Sequence, residues 1–297
     1  MAVRDFALLT LVCLVWALNT IISKYVVSDL AVPPLFYAAL RFMIVLALVF
    51  PWLRPVPKPL WRIVAVGLLM GGGSFALVFL GLKNAAPSAV AVVSQLGVPM
   101  TTLLSMVMLG EKVRWRRGLG IALTFAGVVC VMWDPGGFHL TGGLAFIALS
   151  AFLGSLGAVM MKQVEGVKPL QFQAWVGLSS APPLLAASLL WETGQAASVI
   201  SAGWPFVGAV VFSALVVSVV GHTTYYGLIQ RYEANLISPL TLMTPLATIA
   251  LGVVLTNDPF DLRMGVGTAI ALAGVLIIAL RPNQVMGKLL ALRGRDL

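Results

Sequence analysis

Ten stretches of about 20 predominantly apolar residues follow one another along this chain, at 5–25, 33–53, 62–82, 85–108, 115–133, 141–162, 169–190, 205–230, 234–255 and 264–281. No feature constrains the fold more. A helix crossing a hydrocarbon core of about 30 Å needs roughly 20 such residues, whereas a membrane strand needs about half that number. Backbone groups in lipid must be satisfied internally, so runs of this length specify transmembrane helices. The breaks between them carry the residues that end helices cheaply: Pro33-Pro34, Arg54-Pro55-Val56-Pro57-Lys58-Pro59, Asp134-Pro135-Gly136-Gly137, Asp258-Pro259 and Arg281-Pro282.

Only 10% of the 297 residues are charged and 60% are hydrophobic, against about 25% and 45–50% in an average globular chain. No polar stretch is long enough to fold as a soluble catalytic domain. The formal charge of +9 would suggest a nucleic-acid binder if it formed a patch on a polar domain, but here the cations sit at the ends of apolar runs. With the N-terminus inside, Arg4, Arg54, Lys58, Arg62, Lys112, Arg114, Arg116, Arg117, Lys162, Lys168, Arg231, Arg281, Lys288, Arg293 and Arg295 fall on the inner side. Lys24, Lys83 and Arg263 fall on the outer side, and Arg41 lies within span two. This fifteen-to-three split is what the positive-inside rule expects of ten spans with both termini cytoplasmic. The first run continues through Asn19 and Lys24 without a convincing cleavage site, so it is expected to be a retained helix rather than a signal peptide.

The chain also repeats itself. Pro99 aligns with Pro245 at an offset of 146, and Gly118, Gly120 and Gly127 align with Gly265, Gly267 and Gly274 at 147. Each copy holds five spans, an odd number, so the second enters the membrane from the opposite side. An all-α, polytopic fold with a five-plus-five inverted-topology repeat is expected, divided at 1–138, 139–283 and a basic cytoplasmic tail at 284–297. Such repeats place substrate near the midplane, between the two copies.

Trp16-Ala17-Leu18-Asn19 with Lys24, Ala39-Leu40-Arg41-Phe42, Pro99 followed by Met108-Leu109-Gly110-Glu111, and the Gly-rich fifth span together resemble the EamA-type members of the drug/metabolite transporter superfamily. The resemblance covers nearly the whole chain. In length and aromatic content it is most similar to bacterial aromatic amino acid exporters of the inner membrane. It implies that spans 1, 3, 4, 6, 8 and 9 surround a central path, with 5 and 10 peripheral. Thr256-Asn257 replaces Gly110-Glu111 in the second copy, which argues against a symmetric role for that glutamate.

Candidate binding residues come from the polar and aromatic minority inside the spans. Trp16, Asn19, Thr20 and Ser23 share one helical face. Such groups face protein or a water-filled path rather than lipid, and interhelical hydrogen bonding is the simpler alternative. Gln95 and Thr241 are repeat-related partners, each four residues before a proline, Pro99 or Pro245, that is a candidate kink or gate. Span eight carries Ser218, His222 and Tyr225 on one face; His222 could bind substrate or exchange a proton, or simply be a satisfied buried imidazole. Phe75 and Phe79 follow Gly71-Gly72-Gly73, with Gly72 a candidate hinge, and Trp175 could join them in an aromatic lining. Ser150, Gly154 and Gly157 keep span six slim. Arg41 could snorkel outward or pair with a carbonyl or carboxylate.

The sequence has no GxxxxGK[ST] loop, no GxSxG and no HExxH, which leaves neither ATP-driven transport within the chain nor a familiar hydrolase site. Every Asp and Glu maps to a span end or a loop, so a carboxylate-centred proton antiport lacks its group. The expected function is non-enzymatic export, or facilitated diffusion, of small amphipathic metabolites by alternating access, most of all amino acids including aromatic ones. The alternatives are another metabolite or multidrug transporter of this fold, a channel, or an intramembrane enzyme. The expected partners are a small-molecule substrate and the lipid bilayer, with no nucleic acid, no cofactor and no metal, in a chain whose simplest assembly is a monomer.

Overall fold

The structure is a computed structural model, and it describes all residues except 111–114, 134–141, 165, 233–236, 238–239 and 281–297. The basic tail, the boundary near 138 and Glu111 lie outside the described residues. Among the described residues, nine helices are long and apolar enough to cross a membrane: α1 (Val3–Asp29), α2 (Pro34–Leu53), α3 (Leu60–Asn84), α4 (Pro87–Leu109), α5 (Trp115–Met132), α6 (Gly142–Met161), α7 (Pro169–Trp191), α8 (Gln195–Leu228) and α10 (Leu262–Ala279). Between the last two, the shorter apolar helix α9 (Met243–Leu255) forms the described part of the ninth sequence span. There is no strand among the described residues.

The helix ends follow local chemistry. Pro34, Pro87 and Pro169 each open a helix, where a missing N–H is no loss and the fixed φ is already helical. Asp261 caps α10, its Oδ1 accepting from the Met264 N–H at 2.7 Å. Gly110 ends α4 in the left-handed region at φ 66°. Helix α8 begins ten residues before the expected position 205 and is broken at Gly203, whose φ of 57° and ψ of −144° only glycine adopts readily. Gln195–Ala202 is therefore a separate helical segment in front of the main span.

The packing follows the repeat. Helix α2 lies on α7, α5 on α10 and α4 on α9, each pair exchanging onto itself when every helix is advanced by five. The remaining principal pairs exchange with one another: α3 on α6 corresponds to α8 on α1, and α4 on α6 to α9 on α1. The α5–α10 pair is joined by the repeat-related glycines. A Cβ on Gly127 would stand 2.4 Å from the Ala271 nitrogen, and one on Gly274 would stand 2.5 Å from the Thr124 nitrogen. Gly120 and Gly267 are equally tight, whereas Gly118 meets nothing within 4 Å.

Regular helical winding is interrupted at repeat-related positions. A wide π-type turn occupies Leu68–Gly73 in α3 and another Phe212–His222 in α8. A tight 3-10 turn at Ser94–Leu96 precedes Pro99 in α4, and a turn at 241–242 precedes Pro245 in α9. Interruptions of this kind have identifiable causes in proline and glycine and recur at functional sites.

Candidate functional site

Two cavities share Val78, in the C-terminal third of α3, as a lining residue. The smaller, of about 170 Å³, is lined by Trp16, Asn19, Thr20 and Ser23 of α1, Arg41 of α2, Phe75, Val78, Phe79 and Leu82 of α3, and Val217 and His222 of α8. The larger, of about 700 Å³, is formed chiefly by α3, α4 and α6. Its hydroxyl-rich wall includes Ser74, Ser94, Thr101, Thr102, Ser105, Ser150 and Ser155, and it runs to Arg117 and Lys162 at one end of the bundle. Lys162 Nζ donates to Ser105 Oγ there, at 3.2 Å.

The aromatic residues of the smaller cavity interlock. Trp16 lies 5.1 Å from Tyr225 in an edge arrangement and 5.2 Å from His222, centroid to centroid. Gly221 makes room for the indole, since a Cβ on it would come within 3.3 Å of Trp16 Nε1. Phe79 stacks on Tyr37 at 4.7 Å, and Phe75 stands edge-on to Phe42 at 5.5 Å. Ser23 Oγ shares a 3.5 Å hydrogen bond with Tyr37 OH.

Arg41 does not snorkel. It is 1% exposed, its guanidinium carbon sits 4.3 Å from the centre of the Phe75 ring, and its Nε and Nη2 donate to Ser218 Oγ at 3.1 and 2.9 Å. Ser218 in turn donates to the Ser213 carbonyl across the wide turn of α8. Arg41 Nη1, Trp16 Nε1 and Asn19 Oδ1 are buried without a hydrogen-bond partner.

At the opposite end of the bundle, polar clamps tie helix ends together. Lys24 Nζ donates to the Leu82 and Lys83 carbonyls at 2.9 and 3.3 Å, and Ser28 Oγ donates to the latter at 3.1 Å. Glu192 accepts from the Leu35 and Phe36 N–H groups at the start of α2, at 2.8 and 3.0 Å. Asp258 accepts from the Ser88 N–H at 2.8 Å, and also from its hydroxyl, at the start of α4. A carboxylate at a helix N-terminus satisfies donors that have no partner within the helix and favours the dipole.

Of the residues singled out in the sequence, Trp16, Asn19, Ser23, Phe75, Phe79 and His222 converge on the smaller cavity, and Tyr225 lines the larger one. Gln95 lies outside both; its Nε2 turns back to the Ala91 carbonyl of its own helix at 3.4 Å. Thr241 also lies outside both and belongs to the turn before α9. Trp175 is held elsewhere, donating from Nε1 to the Leu53 carbonyl at 3.2 Å. Gly72 stands in the wide turn of α3, but the close contact there belongs to Gly71, where a Cβ would meet Ser180 Oγ at 2.3 Å. Ser218, Tyr37 and the serines of α6 complete the surroundings.

Comparison with known proteins agrees with this architecture. The sequence model described as the EamA-like transporter family matches residues 6–133 and again 141–280. A protein of Salmonella typhimurium named a probable amino-acid metabolite efflux pump is 28% identical, over 93% of this chain and 95% of its own. Its namesake in Escherichia coli is 27% identical over the same shares. A transporter of Archaeoglobus fulgidus is 24% identical over 93% and 98%. A crystal structure superposes with a TM-score of 0.61 at 22% identity, covering 93% of this chain and 97% of the other, a likeness of fold.

Proposed function

The chain belongs to the EamA-like transporter family and is a multi-pass membrane transporter, and on that premise we propose that it exports small amphipathic metabolites, amino acids with aromatic or large apolar side chains among them, by alternating access. The observation that carries this reading is the neighbourhood of Val78: an aromatic, partly polar chamber between α1, α2, α3 and α8 shares this residue with a hydroxyl-lined vestibule, while polar contacts tie the helix ends together at the other end. The distribution of cations supports a reading in which the vestibule end, with Arg117 and Lys162, faces the cytoplasm of a cell that carries this protein in its inner membrane. A solute would enter from the cytoplasm, meet its rings and polar partners in the chamber, and leave when the clamps part.

Two features support an amino acid. Stacked and edge-on rings around the chamber suit an aromatic side chain, at roughly 0.5–1.5 kcal/mol per ring pair. The names of the Salmonella and Escherichia relatives point to the same class of solute. Among the described residues no carboxylate lines the chamber, and export down the solute's own gradient is the mechanism that arrangement favours. The test is efflux from proteoliposomes loaded with each of the twenty amino acids in turn. Saturable, counterflow-capable efflux of phenylalanine or leucine, indifferent to an imposed pH gradient, is expected; strong uphill flux driven by protons would sink the passive mechanism.

A further inference from the structure

The smaller cavity holds an imbalance that helix packing does not explain. A guanidinium that is 1% exposed carries a full charge, and among the described residues the ion pairs belong to Arg231 and Arg263, not to Arg41. Its Nε and Nη2 are satisfied by a neutral hydroxyl. Its Nη1 has no partner, and neither has the indole Nε1 of Trp16, the amide Oδ1 of Asn19 or the imidazole Nδ1 of His222, although all four are buried and belong to residues lining one cavity. Buried charges are paired or are expensive, and buried polar groups in native proteins are hydrogen-bonded, so several orphans around one space mark an occupant.

The orphans define the occupant's chemistry. Arg41 Nη1 and Trp16 Nε1 are donors, and a guanidinium is the side chain best matched to a carboxylate. Asn19 Oδ1 is an acceptor, which fits an ammonium. These two donors and this acceptor, with His222 Nδ1 able to accept or to donate according to its tautomer, stand beside the Phe75 and Phe79 rings and correspond to the two ends of an α-amino acid with its side chain against aromatic faces. Resting on the export reading above, we propose that Arg41 is the receptor for the carboxylate of the transported solute, with Trp16 Nε1 as the second donor and Asn19 as the acceptor for its amino group.

Ser218 then acts as a positioning residue. It holds two guanidinium N–H groups and leaves the third nitrogen for the solute. Phe75 beneath the guanidinium stabilises the cation while the site is empty.

The experiment is a competition panel on the intact protein in chloride-free proteoliposomes, with thermal stabilisation in detergent as a second readout of the same compounds. The panel contains phenylalanine, 3-phenylpropionate, which lacks the amine, phenylalaninamide, which lacks the charged carboxylate, and phenethylamine, which lacks it altogether. In the wild-type protein, phenylalanine and 3-phenylpropionate are expected to compete and stabilise, and the amide and amine to fall behind by about tenfold or more, the scale of one hydrogen bond to a charged group. Arg41→Gln should erase that preference, and Arg41→Lys should restore part of it. Equal handling of the carboxylate-free compounds by wild-type protein overturns the inference, and so does stabilisation by chloride with none by any carboxylate. These wild-type comparisons do not require the variants to fold. If phenylalanine is not moved but 3-phenylpropionate is, the amino-acid reading fails while the role of Arg41 stands. If amines alone are moved, the export reading survives and the role of Arg41 falls.

Discussion

Arg41 and Trp16 show how little a residue's type says about its duty until its neighbours are known. In α1 the period of 3.6 placed Trp16, Asn19, Thr20 and Ser23 on one face, and that face lines the chamber. For Arg41 the sequence left snorkelling and pairing open, because the rotation of a helix about its own axis is set by tertiary packing. Gln95 was a candidate binding residue, but the tight turn at Ser94–Leu96 winds at about 3.0 residues per turn instead of 3.6, and it is Ser94 that lines the vestibule. Trp175 illustrates competition, its indole N–H being taken by the Leu53 carbonyl. Two outcomes follow at this scale. Trp16→Ala should raise the half-saturation concentration in counterflow by roughly tenfold for phenylalanine and for leucine alike, from one lost hydrogen bond to a charged carboxylate of about 1.5–3 kcal/mol. Ser218→Ala should lower the melting temperature in detergent, since it leaves two more buried guanidinium N–H groups unpaired at about 1–3 kcal/mol apiece.

Among the elements, the α5–α10 pair was legible as a repeated glycine spacing, but which glycines carry the contact was not. Gly120, Gly127, Gly267 and Gly274 allow backbone approach, while Gly118 faces open space. Small residues of this kind drive helix association in lipid, where the hydrophobic effect gives no preference between neighbours. Gly127→Val should therefore destabilise the protein by about 1–3 kcal/mol through overpacking against backbone atoms, whereas Gly118→Ala should be neutral or stabilise by up to about 1 kcal/mol through helix propensity. Thermal unfolding of the two variants side by side checks both. The wide turns in α3 and α8 had no clear signature beyond Gly71-Gly72-Gly73, since α8 forms its own in the β-branched stretch Phe212–His222.

For the molecule as a whole, the number of spans and their pairing by fives were readable from run length and from the alternation of cations, because the bilayer imposes both. Which end the clamps tie together was not, because they join residues far apart in the chain, as Ser88 and Asp258 do. The clamped end makes a prediction in a background where Cys13 and Cys130 are replaced by alanine. Thr102→Cys should react with a membrane-impermeant thiol reagent supplied from the Arg117 side, and Ser23→Cys should stay unreactive from the other side. Adding Asp258→Ala removes the hydrogen bonds to Ser88 and should speed labelling of Ser23→Cys by about tenfold, the population shift expected for one charge-assisted bond. Unchanged labelling would show that this clamp does not hold the end shut.

The vestibule's hydroxyl-rich wall carries a kinetic consequence. At the offset of 146, Thr101, Thr102 and Ser105 of α4 correspond to Ala247, Thr248 and Leu251 of α9, so a cavity formed on the other side by exchange of the two halves would be greasier than the one seen here. A passive carrier must obey detailed balance, and the ratio of maximal rate to half-saturation concentration is then the same on both faces. Unequal walls leave that ratio intact but let its two members differ: a polar mouth that retains solute gives tight, slow uptake, and an oily one gives loose, fast release. Measured from opposite faces of the same liposome, the two half-saturation constants should differ while their ratio to rate does not.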